Sequence, residues 1–449
     1  MPRSDLGLDP ALLDGAGLGR WMHDLAAELL PIPRSLTGAG VRETFRRLAA
    51  DLPGLETVEI PSGTRLYDWT VPDEWTIREA WLADPSGRRV VDMADSTLHV
   101  LGHSEPVRAT MPLDELRPHL HTLPDHPDWV PFRTSYWERA WGLCLSHRLL
   151  ESLPDGDYEV VIDADLAPGD MTYAELVIPG SGPGEVLLST PACHPALAND
   201  NLSGMVLLAG LAARLAAREE RRHTYRFLWS PGTIGPLAWL SRNEDRLDRI
   251  VAGFAVMCVG DPGRFTYKRS RRGDALVDRA AVCALRDLGV EHDVIDWVPW
   301  GGDERQFCSP GFDLPVGVLT RTPPGAFPEN HTSADDLAYV TADALGGSAA
   351  AYLAAIDVLE HGDLVPLGSN QRGEPQLGRR GLTRRMGGQK GGTYELALFW
   401  VLNLADGRHS LLDIAERSGL PFGEIRAACA ALRDVELVRE ETPRWEETP

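Results

Sequence analysis

From about residue 170 onward, short apolar runs alternate with longer stretches in which apolar residues recur every three or four positions. Short runs of this kind are typical of buried strands, and the longer stretches are typical of helices. Strands are predicted at 174–178, 186–190, 225–230, 250–259, 292–298 and 314–319, and helices at 202–218, 235–247, 274–288 and 341–361. This alternation predicts an α/β domain with a mainly parallel sheet covered by helices on both faces.

The first 165 residues show two different patterns of apolar and polar positions. Amphipathic helices at 18–30 and 41–52 and an alternating strand at 55–60 belong with the α/β domain. From about 75 to 165, short β-like runs are interrupted by Pro, Gly and Asp, which predicts a small inserted β-rich domain. A chain of 449 residues is too long for one core. The predicted domains are the α/β domain (1–74 and 166–365), the insert (75–165) and a tail (366–449).

The tail has its own pattern. A Gly- and Arg-rich stretch at 368–392 is typical of a mobile linker. A helix is predicted at 393–404, followed by the segment 410–421, a second helix at 422–434 and the run 435–440, which together indicate a winged helix-turn-helix. Such domains often bind DNA, but the last helix carries few basic residues and the chain ends in acids. The pattern favours a structural or dimerising role, and hence a homo-oligomer, over DNA reading.

The most informative chemistry lies in the loop between the strand at 186–190 and the next helix. Residues 193–204 are Cys-His-Pro-Ala-Leu-Ala-Asn-Asp-Asn-Leu-Ser-Gly, which places His194 and Asp200 at the carboxyl end of a buried strand. Open α/β sheets bind ligands at that position, and an imidazole with a carboxylate suits a divalent metal. From the residues alone, a helix N-cap at Asp200 beside a surface histidine is the alternative.

This loop resembles the first metal motif of the co-catalytic zinc aminopeptidases. A closer resemblance, over nearly the whole chain, is to a bacterial family of aminopeptidase-like proteins with an inserted domain and a winged-helix tail. The resemblance implies zinc, with His194 beginning the site and Asp200 bridging two ions. It also implies Asp261, in Gly-Asp-Pro-Gly, as a ligand of the first zinc, although a turn residue before Pro-Gly is an alternative. His331, in the run Pro-Glu-Asn-His-Thr-Ser-Ala-Asp-Asp, is implied as the remaining ligand.

Three further segments supply candidate substrate-binding or catalytic side chains. The segment 134–147 resembles part of the family and either walls the substrate pocket or packs aromatics into an interdomain core. The segment 301–307 lies where the zinc aminopeptidases have a loop beside the substrate, and a surface turn is the alternative. The basic cluster at 267–274 is either a carboxylate or phosphate clamp or a salt-bridged loop. The candidate substrate-binding residues are Tyr136, Arg139, His147, Lys268 and Arg305.

One departure from the family concerns the catalytic base. The aminopeptidase-like family keeps a glutamate in Pro-Glu-Thr-Ile-Gly, whereas this chain has Pro-Gly-Thr-Ile-Gly, so Gly232 replaces the carboxylate. Loss of a general base commonly costs about 10²–10⁴-fold in rate. Either another acid, such as Glu304, Asp303 or Glu329, substitutes for it, or the protein no longer hydrolyses peptides efficiently. We expect one zinc ion rather than two, because the second site has lost a ligand or base.

Composition narrows the classes of function. The net charge of −22 argues against a general binder of nucleic acid or anionic membranes. Six widely spaced cysteines, the absence of an apolar signal core and the lack of an obvious bilayer-spanning stretch predict a cytoplasmic protein with free thiols. The expected function is a zinc-dependent aminopeptidase-like hydrolase for a small peptide or amino-acid amide. The alternatives are a biosynthetic acyl- or aminoacyl-transfer protein and a regulatory protein that uses the winged-helix tail.

Overall fold

The computed structural model describes residues 15–382 and 392–441, and its centre is an eight-stranded sheet with helices on both faces. The N-terminal residues 1–14, in which no signal core is predicted, and residues 383–391 of the predicted linker lie outside the described part.

The first segment and the insert contain nine strands and four helices among the described residues. The first segment forms α1 (Gly15–Leu29), α2 (Ala39–Asp51), β1 (Glu56–Pro61), β2 (Arg65–Leu66) and β3 (Trp69–Thr70). The insert forms β4 (Glu74–Ala83), β5 (Arg89–Asp92), β6 (Val107–Pro112), α3 (Leu113–Leu116), β7 (Leu120–His121), β8 (Leu143–Cys144), α4 (His147–Ser152) and β9 (Asp157–Ala167).

The remaining elements build the α/β domain and the tail. The α/β domain continues with β10 (Asp170–Ile178), β11 (Glu185–Pro191), α5 (Gly204–Ala216), β12 (Thr224–Ser230), α6 (Ile234–Asn243), β13 (Ile250–Ala255), β14 (Phe265–Lys268), α7 (Leu276–Leu288), β15 (His292–Ile295), α8 (Glu304–Phe307), β16 (Val316–Thr320) and α9 (Ala342–His361). The tail forms β17 (Val365–Gly368), α10 (Thr393–Leu404), α11 (Leu411–Ser418), α12 (Phe422–Asp434) and β18 (Val438–Glu441).

The central sheet has the order β1-β10-β12-β11-β13-β16-β14-β15. Its middle strands β12, β11, β13 and β16 are parallel, whereas β1 and β10 join one side antiparallel and β14 pairs antiparallel with β16. Every residue of β11 is buried, as expected for a strand covered on both faces. Val186 and Leu188 face the core that contains α1, α5, α7 and α9, and Leu187 faces the core that contains α6 and α8. The α/β class and the helical covering predicted from the sequence are confirmed.

The structure differs from the predicted strands at three places: the strand at 250–259, the β-like run 98–101 within the insert, and a strand that was not predicted, β14. The strand predicted at 250–259 ends at Ala255, because the chain turns away and Cys258 adopts a left-handed backbone with φ of 50°. The run 98–101 contains a short helical turn at Thr97–His99, where the Ser96 hydroxyl accepts a hydrogen bond from the Leu98 amide. Strand β14 ends within the basic cluster at 267–274, and its four residues are all buried.

Helix α9 is long and apolar enough to cross a membrane by length and composition, contrary to the expectation that no stretch is. It is a core helix here, since 56% of its most apolar 18-residue window is buried and it packs against α1 and α7. The close crossing of α1 and α9 requires glycine at one point. A Cβ added to Gly19 would lie 2.2 Å from the carbonyl oxygen of Ala342.

The insert is built on a four-stranded antiparallel sheet with the order β5-β4-β9-β6 and a core of its own. A loop of the insert pairs with the segment that carries His331. The Phe132 amide donates to the His331 carbonyl at 2.8 Å, and the Ser333 amide donates to the Val130 carbonyl at 2.8 Å. These bonds fix the insert over the carboxyl end of the central sheet.

The winged-helix tail packs on the α/β domain. Its wing is the two-stranded sheet β17–β18, and its apolar residues join the same core as α7 and α9. Arg279 of α7 forms ion pairs with Asp413 and Glu416 of α11, both at 2.6 Å. Within the predicted linker, Ser369 is bonded to the Leu437 carbonyl at 2.9 Å, so this end of the linker is part of the folded tail.

Candidate metal and substrate site

The loop after β11 carries two of the expected metal ligands, and its backbone is held from several sides. The buried Arg34 donates from Nε to the carbonyl oxygen of His194 at 2.9 Å. The carboxylate of Asp335 accepts the amides of Asn199 at 2.5 Å and Asp200 at 2.9 Å. The Asp200–Asn201 peptide bond is cis. This framework aims the side chains of His194 and Asp200 past the end of the strand.

His194, Asp200 and His331 converge on one point. Each can offer a ligand atom within 4.8 Å of the others, and Nε2 of His331 lies 3.0 Å from Oδ2 of Asp200. The Nδ1 atom of His194 is buried and has no hydrogen-bond partner among the described residues. Two imidazoles and one carboxylate, with an orphaned buried nitrogen, form a donor set that fits zinc.

The protonation states of this group also fit a metal. Burial lowers the pKa of His194 to about 4, so its imidazole is neutral at neutral pH. Burial opposes ionisation of Asp200, but the two histidines and a hydrogen bond from Asn330 outweigh it and hold the pKa of the carboxyl well below its usual range. His331 loses some hydration, yet its hydrogen bond to Asp200 raises its pKa. The lowered pKa values of His194 and Asp200 leave both side chains in the unprotonated form that a metal ligand needs.

These three residues lie at the floor of a cleft of about 930 Å³ between the insert and the α/β domain. Phe132, from the insert, covers the group, with its ring centroid 5.5 Å from that of His194 and 5.2 Å from that of His331. Trp137 and Trp300 line the same cleft and are 54% and 77% exposed. A concave site with a few convergent polar groups and exposed aromatic walls is typical of small-molecule binding.

Asp303 lies beside the position where the family keeps its glutamate. Its Oδ1 accepts the Thr233 amide at 2.6 Å, and a Cβ built on Gly232 would be 3.9 Å from the same oxygen. The other oxygen, Oδ2, is buried without a partner among the described residues. Burial raises the pKa of Asp303 to about 7. The carboxyl can therefore exchange a proton near neutral pH from a wall of the cleft.

Glu304 and Lys268 have a different role from the one predicted. Glu304 is 1% exposed, and its Oε1 pairs with the ammonium of Lys268 at 2.7 Å. The same ammonium donates to the Trp300 carbonyl at 2.5 Å and lies 4.7 Å from the centre of the Trp297 ring. Neither side chain lines the cleft. The structure therefore gives Lys268 and Glu304 a structural role in anchoring the loop 300–304, in place of the predicted roles in substrate binding and catalysis.

The structure does not bring Asp261 into the group of His194, Asp200 and His331. Its carboxylate accepts hydrogen bonds from Asn199 at 3.0 Å, from the Gly263 amide at 2.8 Å and from the Thr322 hydroxyl at 2.6 Å. These donors occupy both carboxylate oxygens, so Asp261 is a buried residue that supports the loop carrying Asp200.

The other predicted substrate-binding residues divide into two groups. Tyr136 and Arg305 line the cleft. Arg139 is exposed and forms ion pairs with acidic residues outside the cleft, Asp73 at 3.1 Å and Glu105 at 3.6 Å. His147 is bonded to the Thr122 hydroxyl at 3.0 Å and is also outside the cleft. The assignments of Arg139 and His147 are therefore corrected.

Sequence reasoning missed the residues that position the ligands. Asp335 and Asn330 lie in the run around His331, and the polar density of that run was a usable signal. No local pattern pointed to Arg34 or Phe132, because they reach the site from distant parts of the chain. The basic cluster itself is salt-bridged, with Arg271 2.7 Å and Arg272 3.4 Å from Asp313.

Matches to known proteins identify the family to which the chain belongs. The family model described as a domain of unknown function, DUF4910, matches residues 23–362, and the model described as winged helix-turn-helix matches 364–440. A Clostridium acetobutylicum protein whose name assigns it to polysaccharide biosynthesis, with an aminopeptidase-like domain, is 46% identical over 424 residues, 94% of this chain and 96% of its own.

Solved structures agree with this grouping. A crystal structure from Clostridium acetobutylicum, named as that of a peptidase, has a TM-score of 0.91 at 44% identity and covers 96% of this chain and 98% of its own. The zinc aminopeptidase BSAP from Bacillus subtilis has a TM-score of 0.56 at 13% identity and covers 76% of this chain and 94% of its own, which shows a shared fold. The chain therefore belongs to the DUF4910 family of aminopeptidase-like proteins, with a winged-helix domain at its C-terminal end.

Proposed function

We propose that this protein is a zinc-dependent hydrolase that cleaves an amide bond in a small peptide or amino-acid-derived substrate. The observation that carries the proposal is the convergence of His194, Asp200 and His331 at the floor of a cleft that Asp303 also lines. One group of three donors, without Asp261, supports one ion rather than two. A cytoplasmic location remains a proposal of the same kind.

The residues have separate roles in this mechanism. The two histidines and Asp200 would hold the ion, which lowers the pKa of water and polarises a carbonyl oxygen. Asp303 accepts a proton at Oδ2 from the water that attacks the amide carbonyl carbon. It then returns this proton to the nitrogen of the leaving amine, as its pKa near 7 permits. Phe132 excludes water from one side of the ligand group, and Arg34 and Asp335 keep the loop after β11 in place.

The test combines metal content with hydrolysis. We expect purified protein to contain about one zinc per chain by elemental analysis and to release amine from members of a panel of dipeptides and amino-acid amides. His194→Ala should lose the metal, and Asp303→Asn should keep it but lose activity by about 10²-fold or more. His147→Ala, a histidine outside the cleft, is the matched control and should change neither property. Full activity of a zinc-free His194→Ala protein would refute the proposal.

A second candidate is acyl or aminoacyl transfer in a biosynthetic pathway. It is favoured by the replacement of the usual glutamate by Gly232 and by the biosynthetic name of the Clostridium relative. Transfer predicts that added amines or alcohols are acylated faster than water is. Product analysis by mass spectrometry with and without such acceptors separates transfer from hydrolysis.

A further inference from the structure

The cleft does not share the acidic excess of the whole chain. The protein has 66 acidic and 44 basic residues, whereas the cleft is lined by two arginines and two aspartates. One aspartate, Asp200, belongs to the metal group, and the other, Asp303, is buried at its wall. A bound divalent ion would add two positive charges. The cleft is therefore the part of an acidic molecule that favours an anion.

The two arginines are Arg133 and Arg305, and they belong to different domains, the insert and the α/β domain. Arg133 is exposed on the insert and follows Phe132, whose ring contacts both histidines of the metal group. Arg305 belongs to α8, two residues after Asp303, and its Nε donates to the Gly302 carbonyl at 3.1 Å. Among residues 15–382 and 392–441, neither guanidinium has a carboxylate oxygen within the 4.0 Å of an ion pair, although the charge of Arg305 acts on Asp303 and favours its ionised form. By contrast, Arg139, six residues beyond Arg133, has two acidic partners.

We propose that Arg133 and Arg305 bind an anionic group of the substrate, a carboxylate or a phosphate, while the amide lies at the metal group. This inference rests on the proposed function, whose substrate class it narrows. A guanidinium binds carboxylate and phosphate oxygens through two parallel hydrogen bonds, which explains two arginines kept without acidic partners. The exposed Trp137 and Trp300 at the same cleft provide apolar faces for the part of the substrate between the amide and the anion.

The test measures binding with matched charged and neutral amides. The carboxylate pair is N-acetylglycine and N-acetylglycinamide, and the phosphate pair is N-acetylglucosamine 6-phosphate and N-acetylglucosamine. Calorimetric titration of the zinc-loaded protein should show at least one charged member binding about tenfold more tightly than its neutral partner. The pair that shows the larger difference identifies the anion.

Variants separate the arginines from the metal. Arg133→Gln and Arg305→Gln should each weaken the charged probe about tenfold and leave the neutral probe unchanged, whereas Arg139→Gln should change neither. The preference for charge should persist in His194→Ala, which separates this inference from failure of the metal proposal. Equal affinity for charged and neutral members, an equal loss in Arg139→Gln, or no binding of any probe up to about 10 mM would each overturn it.

Discussion

Asp200, Asp303 and Glu304 are all nearly removed from water, yet each carboxylate has different partners. Asp200 faces two imidazoles and is ionised, Glu304 is paired with an ammonium, and Asp303 has one backbone donor for two oxygens. A buried carboxylate without sufficient donors holds its proton to higher pH. The partners, rather than the depth of burial, therefore make Asp303 the residue suited to proton transfer.

The raised pKa of Asp303 has a consequence for stability. In the unfolded chain the carboxyl ionises near its ordinary pKa of 3.8, whereas in the folded protein it keeps its proton to about pH 7. The contribution of Asp303 to the free energy of unfolding is therefore fully present below pH 3.8 and is lost as the pH rises through 7. Above pH 7 the folded protein is destabilised by a constant amount relative to low pH. Each tenfold difference in acidity is worth about 1.4 kcal/mol.

We expect metal-free wild type to lose about 2 kcal/mol more unfolding free energy than Asp303→Asn between pH 5 and pH 8. Urea titrations of both proteins at several pH values, with a chelator present, measure the difference. Asp335, whose pKa is also raised by burial to about 7, is present in both proteins and cancels. Parallel pH profiles would show that Asp303 is already ionised in the folded protein at pH 5.

Gly232 offers a second test at the residue scale. A Cβ at this position would have no neighbour closer than 3.5 Å, and the backbone is not left-handed, so a side chain can be added. Gly232→Glu should therefore fold and raise amide hydrolysis by about tenfold or more, since a positioned base contributes about 10²–10⁴-fold. Gly232→Gln, which has the same shape without the charge, is the control. Equal rates for wild type and both variants would mean that this position is not the vacated base site.

At the scale of elements, β14 and α8 act together through the Lys268–Glu304 pair. The pair and the bond from Lys268 to the Trp300 carbonyl anchor the loop that brings Trp300 and Asp303 to the cleft. Removing one member of a buried pair leaves the other charge uncompensated, which costs about 3–5 kcal/mol.

Lys268→Met should therefore destabilise the protein by about 3–5 kcal/mol in urea unfolding. The double variant Lys268→Met with Glu304→Leu should recover part of that loss, because apolar replacement of both members removes the unpaired charge. Zinc content should stay unchanged, since neither residue belongs to the metal group. Glu304→Gln should retain activity; its inactivity would return Glu304 to the catalytic role first assigned from the sequence.

The same elements show what the sequence could predict. β11 and α5 carry unbroken local patterns, so their positions and the loop between them followed from periodicity and the family motif. Strand β14 did not, because Lys268 is polar in the sequence and is buried only through its partner 36 residues away. Phe132 likewise reaches the cleft only because the insert packs on the α/β domain. Local patterns predict elements and motifs, whereas partners distant in sequence decide which of the motif residues meet.

At the scale of the whole molecule, the tail is a docked domain. Helix α12 is the third helix of the winged-helix pattern, the element that enters the DNA major groove in many such proteins. Here the amide of its first residue, Phe422, donates to Asp287 of α7 at 2.6 Å, and Arg426 pairs with Asp357 of α9 at 2.9 Å. This helix is therefore turned toward the α/β domain, and its Arg426 is already paired.

We expect deletion of residues 364–449 to expose the apolar surface that α7 and α9 share with the tail, because both belong to one continuous core. The truncated protein should aggregate or change oligomeric state in size-exclusion chromatography with light scattering, and it should melt at lower temperature. Its zinc content should remain that of the full chain, since His194, Asp200 and His331 are all retained.

The full chain should bind random duplex DNA no more tightly at 50 mM than at 200 mM salt within the error of a titration, whereas a phosphate-binding domain would lose affinity steeply over that range of roughly fourfold in salt. Salt-sensitive duplex binding by the full chain, abolished by Arg426→Gln, would show instead that α12 leaves its docked position to contact DNA.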